Sequence, residues 1–471
     1  MLKLLTCVFL TSLAACAANL PAADAASGPA PTTTEQGAPL PRLSEPALRA
    51  AVGDDPAALA FARRVADTET RLTREPLTEG NRVQLLVDGP AAHAAQLEAI
   101  GRARDHVHLL TYIITDDELG QKYAALLIAK ARQGVKVRLA YDSVGGMGAA
   151  PQYFEELRAA GVETLEFNSV NPLKEPRLWR INHRGHRKLL IVDGAVGFTG
   201  GINIADDYAR PSPAAGSSSS RGWRDTHIRV DGPGVAGFQK AFLQTWENQK
   251  GALPDRERYF PARPHAGHDL VRLVTNDGQS FLGAVAGPGE AKLELKPADQ
   301  ADKSHDIYAS YLAALHEARS RVWITQAYFA PDEQFLEALK GAVQRGADVR
   351  LLMPGTSDVG LVLHASRHYY DDLLRSGMKL YEYQDVMLHA KTAVIDGVWS
   401  TVGSSNLDFR SFLHNDEANA AIIGRDFGAQ MEQQFREDLG HAQAITLEQW
   451  RKRGVVQRTR EFFANMVKYW L

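Results

Sequence analysis

One motif occurs twice in this chain, and its duplication constrains the fold more than any other feature. The first copy contains, in order, His186, Lys188, Asp193, Gly200 and Asn203. The second copy contains, at identical spacing, His389, Lys391, Asp396, Gly403 and Asn406. Chance rarely repeats so many polar and glycine positions in one order, so we infer an internal duplication.

The duplication extends beyond the two motifs. Residues 134–139 (Gly-Val-Lys-Val-Arg-Leu) parallel residues 346–351 (Gly-Ala-Asp-Val-Arg-Leu), and Gly161 parallels Gly377. Short runs rich in Val and Ile alternate with helical patterns in both halves, which indicates an α/β fold. We therefore predict two pseudo-symmetric α/β/α sandwich domains, residues 80–255 and 256–440, with the active site at their interface.

Composition limits the remaining possibilities. The chain has 471 residues, of which 45% are hydrophobic, and this supports two domains with full cores. A net charge of -3 lacks the basic excess typical of proteins that coat nucleic acid, although a local basic groove stays possible. The only cysteines are Cys7 and Cys16, so the folded body holds neither disulfides nor thiolate metal sites.

The N-terminus has the pattern of a secretory signal. A positive start is followed by an apolar run at residues 4–13 that is too short to cross a bilayer. Residues 13–16, Leu-Ala-Ala-Cys, resemble the lipobox of bacterial lipoproteins, which implies a signal peptide at residues 1–15 and diacylglycerol on Cys16. Because Ala17 follows the cysteine, this resemblance implies the outer membrane, facing the periplasm. The alternative is a plain signal peptide cleaved after Ala18.

Three further segments flank or interrupt the two domains. Residues 16–43 are rich in Ala, Pro and Thr and are predicted to form a flexible tether. Residues 44–79 are predicted to form helices that lean on the first domain. Residues 441–471 are predicted to form an amphipathic helix, which either docks on the second domain or lies on an anionic membrane.

A basic and aromatic stretch precedes the first motif. It contains Lys174, Arg177, Trp179, Arg180, His183 and Arg184. It could guide an anionic head group to the site, and the alternative is a solvated surface loop.

The motif residues suit chemistry at a phosphodiester. Side chains alternate along a strand, so His186 and Lys188 share a face, as do His389 and Lys391. A pseudo-twofold arrangement would place both imidazoles across one phosphorus. One histidine would attack as nucleophile and form a phospho-histidine, and the other would act as general acid and base.

The candidate site comprises two groups of residues. The candidate catalytic residues are His186, Lys188, Asp193, His389, Lys391 and Asp396. The candidate substrate-binding residues are Asn203, Asn406, Asp225 and Glu417.

Different roles are expected within these two groups. The lysines and asparagines would stabilise negative charge in the transition state. Asp225 and Glu417 could also accept a hydrogen bond from the second nitrogen of a histidine, while Asp193 and Asp396 are expected to hold strand-end turns. No cofactor is expected, and no Asp/Glu/His cluster has metal-ligand spacing.

The paired motifs resemble the HxKxxxxD motifs of the phospholipase D superfamily, and the chain is most similar there to bacterial cardiolipin synthases. Residues 403–408 (Gly-Ser-Ser-Asn-Leu-Asp), 415–417 (Asn-Asp-Glu) and 326–331 (Gln-Ala-Tyr-Phe-Ala-Pro) carry that similarity. The resemblance implies domains of phospholipase D type. It also implies transfer of a phosphatidyl group from one phosphatidylglycerol to another with release of glycerol, His186 being the nucleophile and His389 the acid and base.

Other functions remain open from the sequence. A phospholipase D would use water as acceptor and release phosphatidate. A nuclease of the same superfamily is disfavoured by the near-neutral charge and the lipid anchor, and a surface lipoprotein without enzymatic activity is the fourth possibility. The expected partners are phospholipids (phosphatidylglycerol, with phosphatidylethanolamine as a second candidate) and a membrane surface, but not nucleic acid.

Overall fold

The computed structural model describes residues 40, 43–171, 182–213, 222–249, 251–253, 256–277 and 305–466. The predicted signal peptide, Cys16 and nearly all of the predicted tether lie outside these residues, as do Lys174, Arg177, Trp179 and Arg180.

Strands and helices alternate in both halves. The first half, with the segment before it, contains α1 (Glu45–Val52), α2 (Pro56–Thr73), β1 (Thr78–Val87), α3 (Asp88–Arg102), β2 (His106–Thr111), α4 (Glu118–Arg132), β3 (Lys136–Asp142), α5 (Pro151–Ala159), β4 (Glu163–Phe167), β5 (Arg184–Gly185), β6 (Leu189–Val192), β7 (Val196–Gly200), β8 (Thr226–Asp231) and α6 (Val235–Asn248).

The second half repeats this plan and adds a C-terminal extension. It contains β9 (Asp269–Asn276), α7 (Asp306–Glu317), β10 (Arg321–Gln326), β11 (Phe329–Ala330), α8 (Glu333–Gln344), β12 (Asp348–Pro354), α9 (Gly360–His368), α10 (Tyr370–Arg375), β13 (Lys379–Tyr383), β14 (Lys391–Ile395), β15 (Trp399–Gly403), β16 (Leu407–Asp408), β17 (Asn415–Ile423), α11 (Arg425–Leu439), β18 (Ala442–Ile445), α12 (Leu447–Arg451) and α13 (Val455–Met466).

One continuous sheet joins the two halves. Its order is β18-β13-β12-β10-β14-β15-β17-β9-β1-β8-β7-β6-β2-β3-β4. Outward from the antiparallel β9–β1 junction, the second half runs β9, β17, β15, β14, β10, β12, β13 and the first half runs β1, β8, β7, β6, β2, β3, β4, which are corresponding strands. The predicted α/β class with two pseudo-symmetric halves is confirmed, and the junction lies on the pseudo-twofold axis.

The sheet folds back on itself, which brings the two motif strands together. Strand β15 contacts β7 and β8, although several strands separate them in the sheet order. A shared apolar core fills the space between the halves and includes Ile191 of β6 and Val394 of β14. Both strands are buried throughout. Their apolar sequences are those expected of strands that are covered on both faces.

The motif aspartates lie at the far ends of these strands. The Asp193 carboxylate accepts hydrogen bonds from the backbone N–H groups of residues 104, 105 and 106, and Asp396 accepts them from residues 319, 320 and 321. Both residues have positive φ values, 54° and 53°, which Asp tolerates better than most residues. Each carboxylate therefore fixes the entry into the neighbouring strand, β2 or β10.

Helices α1 and α2 pack on the second half, so the prediction that they lean on the first domain is wrong. Their apolar residues join a core built around α7, which includes Tyr308 and Tyr311. Helix α7 is buried almost all round, whereas the corresponding α3 has an exposed side that carries Glu98 and Arg102. A helix that is apolar on every side needs a second layer, and α2 supplies it. Buried Glu69 of α2 anchors the contact by pairing with Arg272 and accepting a hydrogen bond from Trp399.

The C-terminal segment is not the single helix that the sequence predicted. Its described part forms β18, which pairs with β13 and extends the sheet, followed by α12 and α13. Helix α13 packs on α9 of the second half. Of the helices in the described residues, none combines the length and the apolar character needed to cross a membrane.

Candidate active site

The two motif histidines line one cavity between the halves. His186 lies just before β6 and His389 just before β14, and the cavity that both face has a volume of about 370 Å³. Asn203 and Asn406, the asparagines of the two motifs, also lie on its wall. The structure thus brings the polar starts of both motifs to one site.

Each histidine is held by a carboxylate from the opposite half. Nδ1 of His186 lies 2.9 Å from both carboxylate oxygens of Glu417 on β17. Nδ1 of His389 lies 2.8 Å from Oδ2 of Asp225, which precedes β8. With Nδ1–H donated to a carboxylate, Nε2 is the nitrogen that each ring can offer to a substrate.

Backbone hydrogen bonds between the halves determine which carboxylate contacts which histidine. The His186 N–H donates to the carbonyl of Asp416 at 2.9 Å, and the His389 N–H donates to the carbonyl of Arg224 at 2.7 Å. These acceptors are the residues immediately before Glu417 and Asp225. The same backbone pairing that joins the halves therefore delivers each carboxylate to the histidine of the other half.

The two motif lysines lie directly behind the histidines. Nζ of Lys188 donates to the carbonyl of His186 at 2.8 Å, and Nζ of Lys391 donates to the carbonyl of His389. Burial lowers the pKa of Lys188 to about 7 and that of Lys391 to about 8, against the opposing pull of nearby carboxylates. Both amines are thus poised to gain a full charge when an anionic phosphate enters.

Burial and the lysines also shift the histidines. Burial, followed by the charges of Lys188 and Lys391, holds the pKa of His186 well below its ordinary value. The pKa of His389 is also lowered, by burial and Lys391, while Asp225 opposes the shift. Both imidazoles of the unliganded site therefore favour the neutral form.

The two carboxylates differ in their preferred charge. Burial raises the pKa of Glu417 to about 7. Burial also acts to raise the pKa of Asp225, but contacts with His389 and Lys391 outweigh it and the pKa falls. His389 therefore faces a carboxylate that stays anionic, whereas His186 faces one that is more easily protonated. The two halves of the site are thus not equivalent.

The two motif asparagines are used differently. Oδ1 of Asn203 accepts from the backbone N–H of Ile113, and its Nδ2 donates to the hydroxyl of Tyr208, both at 3.0 Å. That hydroxyl lies 3.4 Å from Nδ1 of His389. The buried Oδ1 of Asn406 has no hydrogen-bond partner among the described residues. Asn203 thus holds the wall of the site, whereas the Asn406 amide is available to a ligand.

Six of the ten candidate residues are not among those that line the cavity. Two of them, Lys188 and Lys391, are buried directly behind the histidines. Asp225 and Glu417 are fully buried behind the histidines, so their assignment to substrate binding is corrected: they orient imidazoles. Asp193 and Asp396 lie at the opposite strand ends, and their position does not support a place among catalytic residues.

The cavity contains residues that sequence reasoning did not assign to it. The Tyr112 ring lies against His186 with 4.9 Å between ring centroids, and Nζ of Lys188 lies 5.3 Å from the centre of the same ring. No spacing or motif signal marked this tyrosine. Arg410 also lines the cavity and begins a π-helix, Arg410–His414, a rare element that is often found at functional sites.

Two residues of the basic stretch before the first motif are described, and both are held by side-chain partners. Nε2 of His183 lies 2.5 Å from the carboxylate of Asp416. Arg184 is buried, donates to Ser143, lies 3.4 Å from Asp142 and lines the cavity. Neither residue belongs to a freely solvated loop.

Comparisons with known proteins agree with this geometry. A family model described as "Cardiolipin synthase, PLD-like domain" matches residues 96–211 and 311–439. Cardiolipin synthase of Geobacillus kaustophilus is 36% identical over 401 residues, which cover 84% of this chain and 74% of the relative. Cardiolipin synthase of Halalkalibacterium halodurans is 35% identical over 393 residues, or 83% and 72% of the two chains. The crystal structure of phosphatidylserine synthase from Haemophilus influenzae superposes with a TM-score of 0.61 at 11% identity, covering 87% of this chain and 100% of that one, and so shares the fold.

Proposed function

We propose that this chain, which belongs to the family of cardiolipin synthase PLD-like domains, makes cardiolipin from phosphatidylglycerol. The family makes it a phosphatidyltransferase of the phospholipase D superfamily. One phosphatidylglycerol would donate its phosphatidyl group, a second would accept it, and glycerol would be released. The observation that carries the proposal is the pair of imidazoles on one cavity, each held through Nδ1 by a carboxylate of the other half.

The first step forms a covalent intermediate. Nε2 of His186 attacks the phosphorus of the donor, and the bond from phosphorus to the glycerol oxygen breaks. His389 takes up a proton on Nε2 when the anionic phosphodiester binds, and Asp225 at its Nδ1–H stabilises the resulting imidazolium. The imidazolium then gives its Nε2 proton to the departing oxygen, so that glycerol leaves as a neutral alcohol. The products of this step are phosphatidyl-His186, glycerol and a His389 that can accept a proton.

The second step reverses the roles around the same phosphorus. A hydroxyl of the second phosphatidylglycerol attacks as His389 removes its proton, and the phosphorus–nitrogen bond to His186 breaks. Cardiolipin forms, and both histidines return to their starting states. Lys188, Lys391 and the Asn406 amide would stabilise the negative charge on the equatorial oxygens in both steps.

The asymmetry of the carboxylates supports this assignment of the two histidines. A general acid passes through an imidazolium form, which a firmly anionic neighbour stabilises, and Asp225 with its lowered pKa is that neighbour of His389. The nucleophile must start neutral, and the pKa of His186 is held well below its ordinary value. Glu417 can then accept Nδ1–H and keep Nε2 directed at phosphorus.

A phospholipase D activity, in which water is the acceptor, is the second candidate function. The size of the cavity supports it. A volume of about 370 Å³ leaves room for waters, since each occupies about 30 Å³ in the liquid. Water in the place of the second phosphatidylglycerol would give phosphatidate.

Product analysis tests the proposal. The purified chain is incubated with phosphatidylglycerol of defined acyl composition, and mass spectrometry follows cardiolipin, glycerol and phosphatidate. Cardiolipin and glycerol in equal amounts would support the proposal, whereas phosphatidate alone would contradict it. The same assay with phosphatidylethanolamine as donor would measure how selective the enzyme is for the head group.

We also propose that Cys16 is lipidated and holds the enzyme at the periplasmic face of the outer membrane. The support is the lipobox-like sequence at residues 13–16. Mass spectrometry of the mature N-terminus tests this directly. A diacylglyceryl cysteine is expected, and a mature chain that starts after Ala18 would contradict it.

A further inference from the structure

Helix α13 packs on the second half with its polar side inward. Its buried residues are Glu461 and Ala464, and Glu461 pairs with Arg453 at 3.0 Å. Its large apolar side chains face outward, with Phe462 56% and Phe463 60% exposed. This arrangement reverses the usual rule that an amphipathic helix turns its apolar face to the core.

The exposed apolar residues form one stripe along the helix. The stripe consists of Val455, Val456, Phe462, Phe463 and Met466. At 100° per residue these positions fall on one side of the helix, opposite Ala464. Arg458 and Arg460 are exposed and flank the two edges of the stripe. An apolar face bordered by arginines is typical of a helix that lies in the interface of an anionic membrane.

This stripe belongs to a larger apolar rim around the active-site cavity. Helix α13 packs on α9, and the start of α9 contributes Val362 to the cavity wall, just after exposed Val359 and Leu361. In the first half, the loop after β3 corresponds to the loop before α9 and exposes Val144 and Met147.

That first-half loop also borders the cavity. The carbonyl of Gly145 accepts from the N–H of Ile114, and Gly145 lies against the backbone of Tyr112, which lines the cavity. The apolar rim is therefore defined as Val144, Met147, Val359, Leu361, Val455, Val456, Phe462, Phe463 and Met466.

The rim accounts for nearly all large apolar side chains that the described residues expose. Ten such side chains are exposed, and only Phe260 lies outside the rim. The residues on either side of Phe260 pack against Gly194, next to Asp193 at the strand ends that point away from the cavity. The exposed apolar side chains thus lie, with this one exception, on the two loops that border the cavity and on the helix that packs against α9.

We infer that the apolar rim docks on an anionic phospholipid bilayer and sets the cavity mouth against the lipid surface. The inference rests on the proposed function, because a phospholipid substrate must leave a bilayer to reach His186. The arginines that flank the stripe match the negative surface of such a bilayer. Phe462 and Phe463 would enter the acyl boundary, and Arg458 and Arg460 would stay at the level of the phosphates.

Vesicle sedimentation tests the rim separately from catalysis. All proteins are full-length and carry Cys16→Ser, which removes any lipid anchor. The vesicles contain phosphatidylglycerol and phosphatidylcholine in equal parts, or phosphatidylcholine alone. The rim variant is the double substitution Phe462→Ser and Phe463→Ser, and the matched control is Phe260→Ser, an exposed phenylalanine at the opposite end of the molecule. Because all three side chains are exposed, both variants should unfold at the temperature of the parent.

The rim variant should need about tenfold more lipid for half-maximal binding, or still more, since each phenylalanine loses apolar burial. The control should bind like the parent. Arg458→Gln with Arg460→Gln should weaken binding to the phosphatidylglycerol vesicles by roughly fivefold per arginine, with little effect on phosphatidylcholine alone. Equal binding by rim variant and parent would overturn the inference. A parent that is dimeric, with a monomeric rim variant, would also overturn it by showing that a second copy covers the rim.

A second measurement separates this inference from the proposed function. Turnover is assayed with short-chain phosphatidylglycerol dispersed below its critical micelle concentration. The rim variant should keep the parent's rate there and lose rate only on vesicles. If the parent binds vesicles through the rim but produces no cardiolipin, the proposed function fails and the docking surface stands. If the rim variant loses rate on dispersed lipid as well, the rim acts in catalysis and the docking role fails.

Discussion

Glu417 on strand β17 accepts a hydrogen bond from Nδ1 of His186, with 2.9 Å between that nitrogen and each carboxylate oxygen, although the two residues belong to opposite halves of the molecule. Asp225 and His389 repeat this relationship in the other direction at 2.8 Å. The site is therefore complete only when both halves are in place. Neither half alone holds a histidine together with the carboxylate that orients it.

Replacing Glu417 with Gln should lower kcat by about a hundredfold or more, because an amide can hold the wrong tautomer of His186 while the fold is kept. The measurement is the steady-state rate of cardiolipin formation. Asp416→Asn is the matched control, since Asp416 pairs with His183 beside the site and not with either catalytic histidine. The control should stay within a few-fold of the parent. Equal losses in both variants would show that the carboxylates act only through folding.

The proposed roles of the two histidines predict different responses to the leaving group. A substrate that releases p-nitrophenolate needs no proton from a general acid, because the phenolate is stable near neutral pH. His389→Ala should therefore still release one equivalent of p-nitrophenolate in a burst and leave a phosphatidyl group on His186. His186→Ala should give no burst. Stopped-flow absorbance measures the burst, and mass spectrometry of peptides locates the adduct. A burst in His186→Ala but not in His389→Ala would reverse the assignment.

The repeated motif was enough to predict the fold and the meeting of the two histidines, because a duplication with matched strand starts leads to a pseudo-twofold site. The partners of the histidines could not be read from the chain. Glu417 and Asp225 were recognised as possible acceptors, but which histidine each one meets depends on backbone pairing between the halves. Amphipathic patterns show only that a helix has an apolar face. They do not show what covers it, and for that reason α2 was placed on the wrong half and the outward stripe of α13 was not foreseen.

Arg410 should decide between transfer and hydrolysis. It lines the cavity together with Asp408, whose carboxylate feels its charge, but no hydrogen bond or ion pair joins Arg410 to a carboxylate among the described residues. Its charge can therefore bind the phosphate of the acceptor lipid. Arg410→Gln should shift the ratio of cardiolipin to phosphatidate towards phosphatidate by about tenfold, the loss expected for one charge-assisted hydrogen bond.

Product ratios at saturating phosphatidylglycerol measure the effect of Arg410→Gln. Arg375→Gln, on the exposed side of α10, is the matched control and should leave the ratio unchanged. If Arg410→Gln slows both products equally, the arginine serves the donor phosphate or the fold rather than the acceptor.

kcat/KM should begin to fall at a mildly alkaline pH. The pKa values of Lys188 and Lys391 are lowered to about 7 and about 8, so both amines lose their charge as the pH rises through that range in the free enzyme. Fewer charges then attract the phosphodiester, and kcat/KM should fall. On the acid side, kcat/KM should fall as the pH drops below about 7, because burial raises the pKa of Glu417 to about 7 and the protonated carboxyl no longer holds the Nδ1–H tautomer of His186. Dispersed short-chain lipid between pH 5 and 9 is the assay. A rate that stays level up to pH 9 would show that the lysines titrate normally.

Asp193 should matter for stability rather than for chemistry. Its carboxylate accepts three backbone N–H groups at the start of β2, and each bond to a charged acceptor contributes about 1.5–3 kcal/mol. Asp193→Ala loses all three and also places Ala at a φ of 54°, so its melting temperature should fall by several degrees. Asp193→Asn keeps an acceptor and tolerates that φ, so it should fall less. In both variants the folded fraction should turn over at nearly the parent's kcat, measured below the melting transition. A loss of kcat in Asp193→Asn comparable to that of Glu417→Gln, without a change in melting temperature, would return Asp193 to the catalytic group.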